Sequence, residues 1–111
     1  MEHVPAADYA SVAESKIRGY LLSTEHPFGR FKAQFFLEFG FRLDAWMEMQ
    51  ESLLRHVKEN GVVDREVTEF GTKYVVEGPL VSPDGRNPGV RTVWVTDPGE
   101  QRPRFVTAYP M

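Results

Sequence analysis

No cysteine occurs among the 111 residues. Disulfides, thiolate nucleophiles and cysteine-held metals are therefore excluded, and stability must come from packing. No stretch approaches the roughly 20 apolar residues that a membrane-spanning helix needs. The opening residues, Met1-Glu2-His3-Val4-Pro5, lack the basic segment and hydrophobic run of a secretory signal, which sets the expectation of a cytoplasmic protein with no membrane partner. Excess positive charge is also missing. The net charge of −3 argues against a binder that gains affinity by neutralising a long track of phosphates. Finally, there is no His-x-x-x-His pair, glycine-rich phosphate loop, Gly-x-Ser-x-Gly elbow or calcium loop, so no metal and no cofactor is expected.

What the chain does contain is apolar and aromatic. An apolar fraction of 41% with eight phenylalanines is far above that of a disordered chain, and the length suits one domain over residues 1–111. The first half, about residues 11–60, reads as helices. Ser11 with Glu14 has the form of a capping box, followed at helical spacing by Ile17, Tyr20 and Leu21. A second helix is expected from Gly29 or Arg30 to Gly40, with Phe31, Phe35 and Phe39 as its core stripe and Phe36 beside it. Asp44 is placed to cap a third helix whose inward face is Trp46, Met47, Gln50, Leu53, Leu54 and Val57, ending at Asn60-Gly61. Its polar face, with His56, Lys58 and Glu59, is expected in solvent.

After Gly61 the period changes, and a sheet is expected over about residues 66–110. Val67 to Val81 is rich in β-branched and aromatic residues, with Gly71 as a bulge. Pro83-Asp84-Gly85 makes a turn, Val90 to Thr96 is a strand, and Asp97-Pro98-Gly99 turns the chain into Arg104 to Tyr109. Helices first and strands afterwards give an α+β domain, with the helices on one face of an antiparallel meander.

The candidate chemistry begins at His26, on a turn just before a helix that carries Arg30 and Lys32 in its first turn. Imidazole suits proton transfer near neutrality, and a helix N-terminus favours an anion. Between Arg86 and Met111, four arginines stand against Asp97 and Glu100, a local basic bias on an acidic chain. Strand alternation sets Thr92, Trp94 and Thr96 on one face and Arg91, Val93 and Val95 on the other. If the last two strands pair in phase, Thr92 and Trp94 share a face with Thr107 and Tyr109. Such a face is either an ordinary half-buried surface or a pocket that stacks a base and bonds a phosphate. Histidine, lysine, arginine and hydroxyls together form a kit for metal-free general acid–base cleavage of RNA.

The pattern Lys16-x-x-x-Tyr20-Leu21-Leu22, His26-Pro27-x-Gly29-x-x-Lys32-Ala33-x-Phe35-Phe36, Gly40-Phe41, Gly71-Thr72-Lys73-Tyr74, Gly78-Pro79-Leu80, Val90-Arg91-Thr92-Val93-Trp94 and Val106-Thr107-Ala108-Tyr109-Pro110 resembles a family of small bacterial domains of unknown function. That family in turn resembles, distantly, the barnase, EndoU, colicin and RelE group of metal-independent ribonuclease toxins. The resemblance implies helices followed by an antiparallel sheet, RNA as substrate, and a cognate antitoxin or immunity protein as partner. It further implies that His26 and Lys32 supply the helical part of a catalytic site and Arg91, Thr92, Thr107 and Tyr109 the strand part. In that assignment His26 is the general acid or base, and Lys32 and Arg91 stabilise the phosphate. The competing expectation is a non-catalytic protein-interaction module, or an inactive relative of such toxins.

Overall fold

A computed structural model describes residues 2–111. Helix α1 (Glu14–Lys16) runs directly into a π turn, Ile17–Leu21, and α2 (Arg30–Glu38) and α3 (Trp46–Glu59) follow. The strands β1 (Val62–Thr68), β2 (Gly71–Pro79), β3 (Gly89–Thr96) and β4 (Arg104–Pro110) then form one antiparallel sheet in the order β1-β2-β3-β4. This is the α+β meander the sequence predicts, with one strand more. Val62–Thr68 escapes sequence reading because all its residues but Val62 are exposed, so it presents no inward apolar row. Gly71 is accordingly the end of a β1–β2 turn rather than a bulge; its φ is 124°, and a Cβ there would meet the Thr96 carbonyl oxygen at 2.5 Å. Among the described residues no helix is long and apolar enough to cross a membrane.

Both expected helix caps are used otherwise. The Ser11 N–H donates to the Pro103 carbonyl and the Ser11 carbonyl accepts from Phe105 N–H, which ties this segment to β4. The Asp44 carboxylate pairs with Arg42.

The core faces also differ from the expected ones. In α3 the inward residues are Met49, Leu53, His56 and Val57, spaced i, i+4, i+7, i+8, while Met47 is exposed and Trp46 half-buried. In α2, Ala33 and Phe36 are buried, Phe35 and Phe39 are half-buried, and Phe31 is 65% exposed. These faces pack with Ile17 and Leu21 against the sheet rows Tyr74–Trp94–Phe105 and Val76–Thr92–Ala108.

His56, expected in solvent, is only 2% exposed. Its Nε2 lies 3.0 Å from the carbonyl oxygens of Gly78 and Val90, so Nε2 carries the hydrogen and Nδ1 is a bare acceptor. The Thr92 hydroxyl donates to Nδ1 at 3.0 Å, and Trp94 Nε1–H donates to the Thr92 oxygen at 2.8 Å. Every polar atom of the chain His56–Thr92–Trp94 is thereby satisfied inside the core.

Candidate functional site

Which side chains of β4 face the site depends on where the strand leaves one residue unpaired. Trp94 lies opposite Phe105, with their rings edge-to-face at 5.3 Å. Continued in phase, this register would set Val93 against Val106 and Thr92 against Thr107. Val93 instead pairs with Thr107, and Arg91 with Tyr109. Val106 is the additional residue of a β-bulge, which re-aims the side chains beyond it. Thr107 and Tyr109 therefore share a face with Arg91 and Val93, while Thr92, 0% exposed, stays inside with Trp94 and Ala108. The expectation that Thr92 joins Thr107 and Tyr109 is thus corrected: a strand has period two, and one inserted residue exchanges its faces.

Lys32, in the first turn of α2, reaches this outer face. Its Nζ donates to Tyr20 Oη at 2.6 Å and to Thr107 Oγ1 at 2.8 Å, and the two hydroxyl oxygens are 3.0 Å apart. Tyr20 stands in the π turn, an irregularity that recurs at functional sites. The donor count in this triangle decides its chemistry. Two of the three ammonium hydrogens are spent, one hydroxyl hydrogen lies between Tyr20 and Thr107, and one N–H and one O–H remain to face a ligand. One oxygen lone pair is left over, so with both hydroxyls neutral the cluster has more donors than acceptors, with a cation at its centre, and suits an anion. Burial raises the Tyr20 pKa, but the hydrogen bonds with Lys32 and Thr107, with the charges of Lys32 and Lys16, outweigh it and hold the phenol below its ordinary 10.0.

Next to this triangle, His26 Nδ1 accepts from the backbone N–H groups of Phe28 at 3.0 Å and Gly29 at 2.9 Å. The imidazole occupies donors that the sequence leaves open for a phosphate, so the expected anion site at the start of α2 is closed by the protein itself. With Nδ1 accepting, Nε2 carries the hydrogen, and the neutral ring presents a donor rather than a basic lone pair. The ring meets Tyr20 edge-on at 5.0 Å. Gly29 allows this approach, because a Cβ there would lie 2.6 Å from the Tyr20 carbonyl oxygen and 2.8 Å from its Cδ1.

A cleft of about 510 Å³ opens over these groups, walled by Lys16, Tyr20, His26, Lys32, Thr107 and the bulged Val106, with Ser15 and Gly19 completing it. Among the described residues no carboxylate lines it. Cations and aromatic rings alternate outward from Lys32, whose Nζ is 5.1 Å from the Tyr20 ring centroid and 5.6 Å from that of Tyr109. Lys16 Nζ lies 5.8 Å from the Tyr20 centroid, and Arg91 Cζ 5.5 Å from that of Tyr109. Arg91 is not free: its Nε donates to Glu77 Oε2 at 2.6 Å and its Nη2 to the same oxygen.

Of the residues singled out from sequence, His26, Lys32 and Thr107 meet in the cleft. Tyr109 and Arg91 form the next rungs, and Thr92 lies apart. Tyr20 and Lys16 were missed as site residues, although their spacing of four on a helical segment was a readable signal that the two side chains share a face. Among the described residues no group of three or more His, Asp or Glu is gathered to hold a metal ion.

The profile of the family described as "Domain of unknown function (DUF6883)" matches residues 3–111. No curated protein matches the sequence. Among solved structures, a chain of a contact-dependent growth inhibition toxin–immunity protein complex from Klebsiella pneumoniae 342 is similar, with a TM-score of 0.70 at 16% identity over 91% of this chain and 99% of that one. At that identity the likeness shows a shared fold.

Proposed function

We propose that this chain, which belongs to the DUF6883 family, is a toxin-type domain that binds RNA in the Lys16–Lys32 cleft and cleaves it by general acid–base chemistry. One observation carries the reading. On a chain of net charge −3, the cleft is lined by two lysines and a histidine, with no carboxylate among the described residues, and its Lys32–Tyr20–Thr107 triangle centres on an ammonium group with an N–H left to donate. A phosphodiester seats on those donors. The adjacent ribose 2′-oxygen attacks phosphorus, and the 5′-oxygen leaves. Tyr20, as a phenolate supported by Lys32, takes the 2′-hydroxyl proton, and the 5′-oxygen, departing on the opposite side of phosphorus, is protonated by water, leaving a 2′,3′-cyclic phosphate and a 5′-hydroxyl; the hydroxide formed takes the proton back from Tyr20. Lys32 stabilises the charge that builds on the phosphorane. His26 donates from Nε2 to a phosphate or ribose oxygen, and Arg91 serves a neighbouring phosphate when it exchanges Glu77 for it. This assignment moves the proton transfer from His26 to Tyr20, because His26 Nδ1 is committed to the backbone.

The fold shared with a chain of a toxin–immunity complex supports the biological setting. In this reading the domain acts on RNA in a bacterial cytoplasm and is restrained by a cognate immunity protein or antitoxin. Incubation with RNA in the presence of a chelator tests the chemistry. Cleavage is expected to rise with pH toward the Tyr20 pKa, and to fall by about 10²–10⁴-fold in a folded Tyr20→Phe variant and comparably in Lys32→Ala. Cleavage unchanged in both variants would remove the triangle from the mechanism.

A second reading has its own support. The β1–β2 hairpin exposes Val63, Val67 and Phe70 at a free sheet edge, as an immunity-like module that adds a partner's strand would. In that case the protein cleaves no RNA and its induced expression leaves bacterial growth unaffected.

A further inference from the structure

We infer that Phe28 is a platform on which an unpaired base stacks, so that the cleft selects single-stranded or looped RNA over duplex; this rests on the anion-binding reading of the cleft. Phe28 is 81% exposed, more than any other large apolar side chain among the described residues. An isolated exposed phenylalanine needs no explanation, but this one stands on a backbone whose N–H groups are both bonded. Its own N–H and that of Gly29 are both held by His26 Nδ1, Pro27 restricts the backbone before it, and Gly29 seats the loop directly on Tyr20. The ring also continues a series. From the Lys32–Tyr20–Thr107 triangle, the Tyr20 and His26 centroids are 5.0 Å apart and those of His26 and Phe28 6.0 Å, a chain of aromatic rings leading from the triangle through the cleft-lining His26 to Phe28.

A cationic groove with aromatic faces along it is the arrangement that holds single-stranded nucleic acid, since every base has a face to stack. A duplex cannot use it. Its bases are already stacked on one another, and the A-form groove keeps their faces from a protein side chain. Phe31 provides the internal contrast: it is also exposed, but Arg30 covers it, with Cζ 4.9 Å from the ring centroid.

The test is fluorescence anisotropy with the full chain and a labelled 2′-O-methyl oligouridylate of about eight nucleotides, which lacks the nucleophilic hydroxyl, against a 2′-O-methyl duplex of the same length. Wild type is expected to favour the single strand. Phe28→Ala should weaken single-strand binding about 10-fold, within the range that loss of one stacked base produces, while Phe28→Trp restores it and Phe31→Ala leaves it unchanged. An abasic oligonucleotide should bind wild type and Phe28→Ala equally. If Phe28→Ala binds like wild type while Lys32→Ala has lost binding, the stacking inference is overturned and the anion cleft stands. If Lys32→Ala is also unaffected, the cleft reading fails and takes this inference with it. Equal affinity of wild type for single strand and duplex would likewise overturn it.

Discussion

Replacing Thr92 by valine exchanges a buried hydroxyl for a methyl group of nearly the same size. It should be far more damaging than its shape suggests. The hydroxyl stands between two buried groups, donating to His56 Nδ1 and accepting from Trp94 Nε1–H, with both Thr92 and Trp94 0% exposed. Valine leaves an acceptor and a donor without partners where water cannot reach. Each stranded group costs about 1–3 kcal/mol, and burial of the extra methyl returns about 0.8 kcal/mol. The expected loss is therefore about 3 kcal/mol, a large part of the ~5–15 kcal/mol that holds a typical domain folded. In urea unfolding, with a slope of about 1–3 kcal/mol per molar, the midpoint should fall by about 1–3 M at unchanged slope. Thr92→Ser keeps the hydroxyl and removes one methyl, so it should cost only about 1 kcal/mol. A Thr92→Val protein within about 0.5 kcal/mol of wild type, or one more stable than Thr92→Ser, would refute the network.

Burial lowers the His56 pKa below 6.5, and its bonds to the Gly78 and Val90 carbonyls offset this only in part. The unfolded chain thus binds this proton more readily than the native one: the stabilisation is complete above pH 6.5 and is lost as pH falls from there through the native pKa. Urea midpoints should be flat between about pH 7 and 8 and decline below about 6.5; a rise on acidification would contradict the assignment. Gly29→Ala should shift Tyr20 and lower both thermal stability and RNA binding, because the new Cβ collides with Tyr20, whereas Gly19→Ala, with nothing within 4 Å, should leave thermal stability unchanged. Circular dichroism with an RNA-binding assay separates the two. Deleting Val106 should remove the bulge yet leave Thr107 and Tyr109 on their present face, so that the protein still folds. Deleting Val93, which sits in regular register, should exchange the faces of β3 and unfold the protein.

The order of elements could be read from the sequence because the signals are local. Helical spacing, the change of period after Gly61 and the Pro83-Asp84-Gly85 turn act over a few residues, and the positive φ of Gly71 and Gly85 follows the same chemistry. Local signals were weaker at choosing faces. In α2 the phenylalanine stripe pointed to Phe31, but Phe36 meets the core. In α3 the buried stripe runs through His56, because the Gly78 and Val90 carbonyls and the Thr92 hydroxyl that make its burial tolerable come from strands 22 to 36 residues away.

The candidate site divides in the same way. His26 and Lys32 stood out by type and spacing, whereas Tyr20 became a site residue only when folding brought Thr107, 87 positions later, to its hydroxyl. What tertiary structure alone decided was the phase of β4. Strand alternation is a rule of period two with no memory of its origin, so one unpaired residue reverses every assignment beyond it. Nothing in Phe105-Val106-Thr107 marks that residue locally. The bulge is set by two distant demands, Phe105 packing on Trp94 and Ala108 facing Thr92, which the chain satisfies together only by leaving Val106 without a partner and turning Thr107 outward to Lys32.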